Sequence, residues 1–271
     1  MFMTDQTMGP VELAREVEVR GLYSLYVPEH THIPISRRTP PPTGDAELRE
    51  EYKRTLDPFV ALGMAAAVTE RLVVGTGICL VAQRDPIVTA KAVATLDRES
   101  GGRFVFGIGF GWNADEAEDH GVDMKRRRDM AREHMLAMDA LWRDDVASYD
   151  GEFVHLSPSW SWPKPAAGRP PVLLGGAPGP KLFAHVAEYA DGWIPIGGAG
   201  VRAAIDDLSL ACEARGRDPK TLRIVPFGTI PDAGKLEYYA SIGIEEVVLR
   251  LPGGDRDKVL PQLDQFAELV S

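Results

Sequence analysis

The sequence predicts an eight-fold (β/α) barrel, an α/β fold, on three observations. Short apolar strands alternate with amphipathic helices to the end of the chain. The strands are unbroken apolar runs, such as residues 72–76 (LVVGT), as in parallel strands buried on both faces. Polar and glycine-rich clusters follow their C-terminal ends, where barrel enzymes carry their sites.

The elements follow in order. Gly9-Pro10 opens a helix that Gly21 stops, with Val11, Ala14 and Val17 on one face. Residues 22–27 (LYSLYV) form a strand ending on Pro28-Glu29-His30-Thr31-His32. A polar excursion over about 31–53 holds Pro40-Pro41-Pro42 and the turn Thr43-Gly44-Asp45, and a loop this long inside a domain is usually functional. A helix over 56–69 and the strand 72–76 come next. Asp85-Pro86 reads as an N-cap with a first-turn proline, and Gly101-Gly102 ends that helix. Residues 103–116 (RFVFGIGFGWNADE) combine a strand, the glycines 107, 109 and 111, and a polar turn. A helix over 125–142 leads to a second excursion, about 148–170, with Trp160 and Trp162. Strands at 171–174, 192–196, 222–227 and 246–251 alternate with helices at 182–189, 201–215, 232–241 and a last one carrying Val259, Leu263, Phe266 and Val270. From residue 22 onward this makes seven strands, with eight helices counting the first. The first strand of an eight-fold barrel is therefore truncated or missing.

The 271 residues are read as one domain, and 44% hydrophobic residues are enough for a large core. A net charge of −10 argues against a nucleic-acid partner. No apolar run approaches the ~20 residues of a membrane span, and the N-terminus lacks signal-peptide features. Cys79 and Cys212, in no metal-like spacing, read as reduced thiols of a cytoplasmic protein.

Glycines 107, 109 and 111 do not match the dinucleotide fingerprint, because Trp112 takes the place of its last glycine. They read either as a tight βα turn or as bare backbone offered to an anion. His30, at a strand's end beside Glu29, is a candidate proton donor or ring contact. His30-Thr31-His32 also spells the H-x-H pair of metal-dependent barrel hydrolases, a reading that needs further ligands at later strand ends. Trp160 and Trp162 read as pocket lining or as pins for the insertion. Lys125-Arg126-Arg127-Arg128 reads as a solvated helix start or as an attraction for an anionic ligand. His134 has the spacing of a packed helix residue.

Six stretches carry a family resemblance: SLYVPEHTHIP, TERLVVGTGICLVAQRDPIVTAKAVATLD, SGGRFVFGIGFGWNADE, WSWPKP, PPVLLGG and YADGWIPI. Spanning about residues 8–198, they resemble the bacterial luciferase-like superfamily, in particular its branch that uses the deazaflavin coenzyme F420. The resemblance implies a TIM barrel with insertions at the C-terminal face and a flavin-type ring over its mouth. It assigns Glu29 and His30 to catalysis, with Glu29 orienting His30 and His30 also touching the ring. It places ring support at a bulge matching Gly77-Ile78, often a non-prolyl cis peptide. It assigns cofactor and phosphate contacts to Gly109, Phe110, Gly111, Trp112 and Asn113, and to Gly175, Gly176 and Ala177. Trp112 stands where a sugar-phosphate-oxidising branch carries Glu, and Thr4-Asp5 stands as a remnant of the first strand. The implied function is F420-dependent hydride transfer to or from a small organic substrate, by a homodimer that binds no metal. The alternatives are an FMN-dependent monooxygenase, a metal-dependent hydrolase using His30 and His32, and a cofactor-binding protein without turnover.

Overall fold

The computed structural model describes residues 1–40, 44 and 47–270. Of the stretch read as a proline run and turn, Pro41, Pro42, Thr43 and Asp45 lie outside the described residues. Helix α1 (Pro10–Val19) leads to β1 (Ser24–Val27), and a short 3-10 turn (Glu50–Lys53) lies within the first excursion. Then come α2 (Pro58–Ala67), β2 (Val73–Thr76), β3 (Cys79–Leu80), α3 (Pro86–Glu99), β4 (Phe104–Gly109), α4 (Ala114–Asp119) and α5 (Arg127–Arg143). Strands β5 (Ala147–Asp150) and β6 (His155–Ser159) precede β7 (Val172–Gly175), α6 (Pro180–Tyr189), β8 (Gly192–Ile194) and α7 (Val201–Glu213). The chain closes with β9 (Arg223–Ile224), β10 (Phe227–Thr229), α8 (Ala233–Ser241), β11 (Val248–Leu249) and α9 (Arg256–Val270).

The main sheet has the order β1-β2-β4-β7-β8-β9, all parallel, with β3 also on β4. Strands β10 and β11 pair in parallel, and a bridge from Ile196 to Phe227 joins them to the segment after β8. The result is the curled parallel sheet of a TIM barrel, walled by helices.

Side chains alternate across β4. Phe104, Phe106 and Ile108 join the large cluster between sheet and helices, while Val105 joins Tyr26, Leu173, Ile194 and Val225 inside the barrel. Trp142 anchors α5 to α3 through an indole N–H donated to the Ala90 carbonyl at 3.0 Å. The expected cap forms, with Asp85 Oδ1 accepting from Val88 N at 2.8 Å, and Asp57 repeats it on Val60 N at 3.0 Å.

All seven anticipated strands and eight anticipated helices occur at their places, with shifted ends. The run 222–227 splits into β9 and β10 around Pro226, which has no N–H to give a ladder. The run 246–251 shrinks to β11. Four strands and helices were not anticipated: β3, α4, β5 and β6. Strand β3 is too short to show a period, and α4 follows a stretch read as a polar turn. The antiparallel hairpin β5–β6 lies within the second excursion. Thr4 is no remnant of a barrel strand, because it bridges Thr55 antiparallel. Among the described residues no helix is long and apolar enough to cross a membrane.

Candidate active site

The loop after β1 carries His30. Its backbone is clamped by Thr55, whose Oγ1 accepts from His30 N at 3.3 Å and donates to His30 O at 2.6 Å. The ring turns inward, with Nδ1 2.8 Å from Glu116 Oε2 and the two side chains 6% and 1% exposed. If Nδ1 carries the proton, it donates to Glu116 and leaves Nε2 to face a ligand. Aromatic rings surround it: Tyr52 at 5.4 Å, Trp112 edge-on at 5.8 Å, and Phe2 tilted against Tyr52 at 4.7 Å.

Glu29 does not orient His30, which corrects the expectation. Its carboxylate is held elsewhere: it accepts from Leu80 N at 2.8 Å and from the Arg84 guanidinium. Arg84 continues to Asp57 Oδ2 at 2.7 Å and lies over the Phe59 ring. Both carboxylates hold the Arg84 pKa above its ordinary value against the opposing effect of burial. Glu29 thus ties the end of β1 to β3, because a carboxylate only 4% exposed needs a cation and N–H donors in place of its lost hydration.

The Gly77–Ile78 peptide is cis. The Ile78 side chain fills the space that two glycines leave. A Cβ on Gly109 would stand 1.8 Å from Ile78 Cδ1, and one on Gly175 would stand 3.1 Å from Ile78 Cγ2. These two glycines therefore make room for a side chain. Gly111 instead needs the left-handed backbone, at φ 73°, to turn the chain toward α4. The Gly176 carbonyl accepts from Trp193 Nε1 at 3.0 Å, and Ala177 is exposed.

Beyond Gly111 lies a set of buried polar atoms without hydrogen-bond partners: both amide atoms of Asn113, both of Gln83, and Glu116 Oε1. Asn113 and Glu116 are 0% exposed and Gln83 8%. Native interiors leave few such atoms unpaired, so a cluster at strand ends marks a place for a polar ligand or water. Sequence reasoning missed Glu116, Gln83, Tyr52 and Arg84. For Glu116 a signal existed: Asn113-x-x-Glu116 has the spacing of a helix-opening box, which predicts α4 and faces its glutamate toward the loop.

The first excursion is strapped over α4. Arg38 N and Nε donate to Asp115 at 2.8 and 2.9 Å, and Thr39 Oγ1 accepts from Ala114 N at 3.3 Å. The H-x-H pair does not form a ligand set, because His32 Nε2 meets Asp119 Oδ2 at 2.9 Å on the surface while His30 faces Glu116. Among the described residues no group of three His, Cys, Asp or Glu could hold a metal.

Trp160 and Trp162 are 81% and 60% exposed, with the Trp162 carbonyl bound by Lys91 of α3. The Trp162 carbonyl thus fixes this end of the second excursion to α3. His134 is packed as expected, with Nδ1 3.0 Å from Val81 O, and burial lowers its pKa. Both cysteines are free and buried.

A parallel barrel with a buried His–Glu pair and unpartnered amides at its strand ends defines a barrel enzyme. Residues 9–231 match the sequence model of the luciferase-like monooxygenase family, and the chain belongs to that family, whose members are oxidoreductases. It is 44% identical over 270 residues to an uncharacterized protein of Mycobacterium tuberculosis, covering 98% of this chain and 95% of that one. It is 30% identical over 215 residues to a phthiodiolone/phenolphthiodiolone dimycocerosates ketoreductase of Mycobacterium kansasii, covering 74% of this chain and 57% of that one. An F420-dependent secondary alcohol dehydrogenase solved with an F420-acetone adduct shares the fold, with a TM-score of 0.77, 18% identity, and 97% and 95% of the two chains covered. The monooxygenase RslO1 of Streptomyces bottropensis shares it too, with a TM-score of 0.76, 18% identity, and 96% and 91% covered.

Proposed function

We propose that this enzyme is an F420-dependent oxidoreductase that passes a hydride between deazaflavin C5 and a small organic substrate. One observation carries the reading: the Oε1 of Glu116, which holds His30, is buried without a partner, as are the amide atoms of Asn113 at the start of the same helix and of Gln83 beside Gly111. A polar heterocycle would satisfy them, so the residues present fit a deazaflavin. Gly109, Phe110, Gly111, Trp112 and Asn113, with Gly175, Gly176 and Ala177, would hold it, and Gly77 and Ile78 would support its ring. When bound, F420 supplies the hydride chemistry.

The chain's own residues do the rest. Glu116 holds His30 in one orientation, and His30 Nε2 then holds or moves a proton at the substrate oxygen. Tyr52, Trp112 and Phe2 exclude water around that ring. Glu29 acts through Arg84 and Leu80 to keep the loop in place.

Neighbours in fold support both cofactors: one is an F420-dependent secondary alcohol dehydrogenase, whereas the oxygenating constituent of 3,6-diketocamphane monooxygenase of Pseudomonas putida is solved in complex with FMN. Titrating the protein separately with F420 and with FMN, followed by cofactor fluorescence, decides between them. Saturable F420 binding with weak FMN binding is expected, and saturation by FMN alone overturns the proposal.

A cytoplasmic homodimer is part of the same reading. Helix α2 carries no charged residue, yet Val60 and Met64 are 64% and 45% exposed, and α3 exposes Val88 beside it. A helix apolar all round asks for a cover, here a second copy of the chain. Light scattering that returns the mass of one chain overturns this part.

A further inference from the structure

The sheet order leaves one place where the barrel does not close. β1 stands at one end of the main sheet, and among the described residues β11 pairs only with β10. No backbone pairing joins β1 to β11 among these residues, although Cα atoms of the two strands come within 8 Å. Paired strands lie about 4.8 Å apart. Successive residues of a parallel strand turn their backbone groups to alternate edges, so the bonds already made show which groups face the seam. The Tyr23 and Val27 carbonyls accept from Val73 N and Gly77 N, which turns Ser24 and Tyr26 to the other edge. Val248 N and Arg250 N donate to Pro226 O and Thr229 O, which turns Val247 and Leu249 to the seam.

The seam borders a cavity of about 410 Å³, lined among others by Leu25, Tyr26, Leu249, Leu251, Leu263 and Phe266. β11 is only half-buried, whereas β4 and β7, flanked on both edges, are buried throughout. The Tyr26 hydroxyl is buried without a partner. At the N-terminal end of the two strands side chains span the gap, with Ser24 Oγ donating to Glu246 Oε1 at 2.7 Å. At their C-terminal end lies Met1, which also lines the cavity. Burial, with Arg250 acting in the same direction, lowers the pKa of its amine to about 6. A neutral amide in that place would lose less hydration than an ammonium does. The residues that follow are fixed at the mouth: Met3 O accepts from Leu56 N and Gly254 O from Met8 N, each at 2.9 Å.

We propose that the seam is a strand-acceptor site: it takes one extended apolar segment, parallel to β1 and continuous with Met1, as the strand that closes the barrel. About four residues match β1, at about 3.3 Å each. Alternate residues of the segment pair with Ser24 and Tyr26 on one edge and with Val247 and Leu249 on the other. Its side chains alternate between the barrel interior beside Tyr26 and the apolar layer of Leu263 and Phe266 on α9. Paired spacing on both edges sets β1 and β11 about 9.6 Å apart, so the seam opens slightly as it takes the segment. A strand running parallel to β1 ends where Met1 lies, so the segment is joined to Met1 rather than lent by a separate chain. Seating it also fixes Phe2, whose ring tilts against Tyr52 beside His30, so closure of the barrel firms one wall of the candidate site. The seam is independent of the cofactor.

The test compares the chain as it stands with two extended forms, read by residue-resolved amide hydrogen exchange and by thermal unfolding without cofactor. One form carries about five alternating valine and threonine residues ahead of Met1, which favour a strand. The other replaces two of these with proline, which has no N–H to give a ladder. In the unextended chain the amides of Ser24, Tyr26, Val247 and Leu249 should be protected at least about tenfold less than those of β4. The valine–threonine form should raise their protection about tenfold or more and the melting midpoint by about 4 °C, and the proline form should do neither. Seam amides as protected in the unextended chain as those of β4, or equal responses to the two extensions, overturn the proposal. A free peptide of the same composition that protects the seam as well as the joined segment overturns the continuity with Met1.

Discussion

Glu116 Oε2 and His30 Nδ1 meet at 2.8 Å across 86 residues of sequence, and both side chains are buried. This contact brings the short helix α4 under the loop that follows β1. Replacing Glu116 with Ala leaves a buried ring nitrogen unpaired, which costs about 1–3 kcal/mol. Glu116→Gln keeps an acceptor oxygen and should cost less. Urea midpoints at neutral pH measure both, and equal losses would show that the acceptor does not matter.

Gly109→Ala drives a methyl group into Ile78, whose Cδ1 would lie 1.8 Å away. Overpacking of this kind costs about 1–3 kcal/mol. Ile78→Ala on the same background should recover part of that, giving a favourable coupling in a double-mutant cycle. Strict additivity of the two changes would refute the contact.

Arg84→Met strands the Glu29 carboxylate, which is 4% exposed. Breaking a buried pair from one side costs about 3–5 kcal/mol. The double variant Glu29→Gln with Arg84→Met removes the uncompensated charge and should be more stable than Arg84→Met alone. Denaturant unfolding of the two variants and the wild type checks the order.

Burial lowers the His134 pKa below its ordinary value of 6.5. The unfolded chain therefore binds the proton more readily than the folded one. The contribution of His134 to stability is complete above 6.5 and is lost as pH falls from there through the lowered folded value. The wild type should begin to lose stability as pH falls below about 6.5, above most carboxylate titrations. His134→Gln should have a flatter profile there, and coincident slopes would assign the acid sensitivity to other groups.

Much of the fold was legible because its signals are local. The β4 run, the Asp85-Pro86 cap and the helix stripes each lie within a few residues of chain. Pro226 and the two-residue β3 mark the limit, since neither leaves a period to read. At the site, His30 and the cis Gly77–Ile78 bulge were legible through resemblance, while the partner of His30 was not. Glu29, adjacent in sequence, was the natural choice, yet in the loop after β1 its carboxylate turns to Leu80 and Arg84 instead. The glycines at 109 and 175 were legible as small residues, but their reason, the Ile78 side chain, comes from the bulge between β2 and β3.

The sequence by itself determined the alternation of strand and helix, and so which residues reach the barrel's C-terminal ends. It did so because period and capping act over a turn or a strand. Only the tertiary structure decided that Glu116 holds His30 and that Arg84 holds Glu29. Those pairings join residues from separate elements, and burial makes each decisive, because a charge taken out of water must find its partner wherever the fold delivers one.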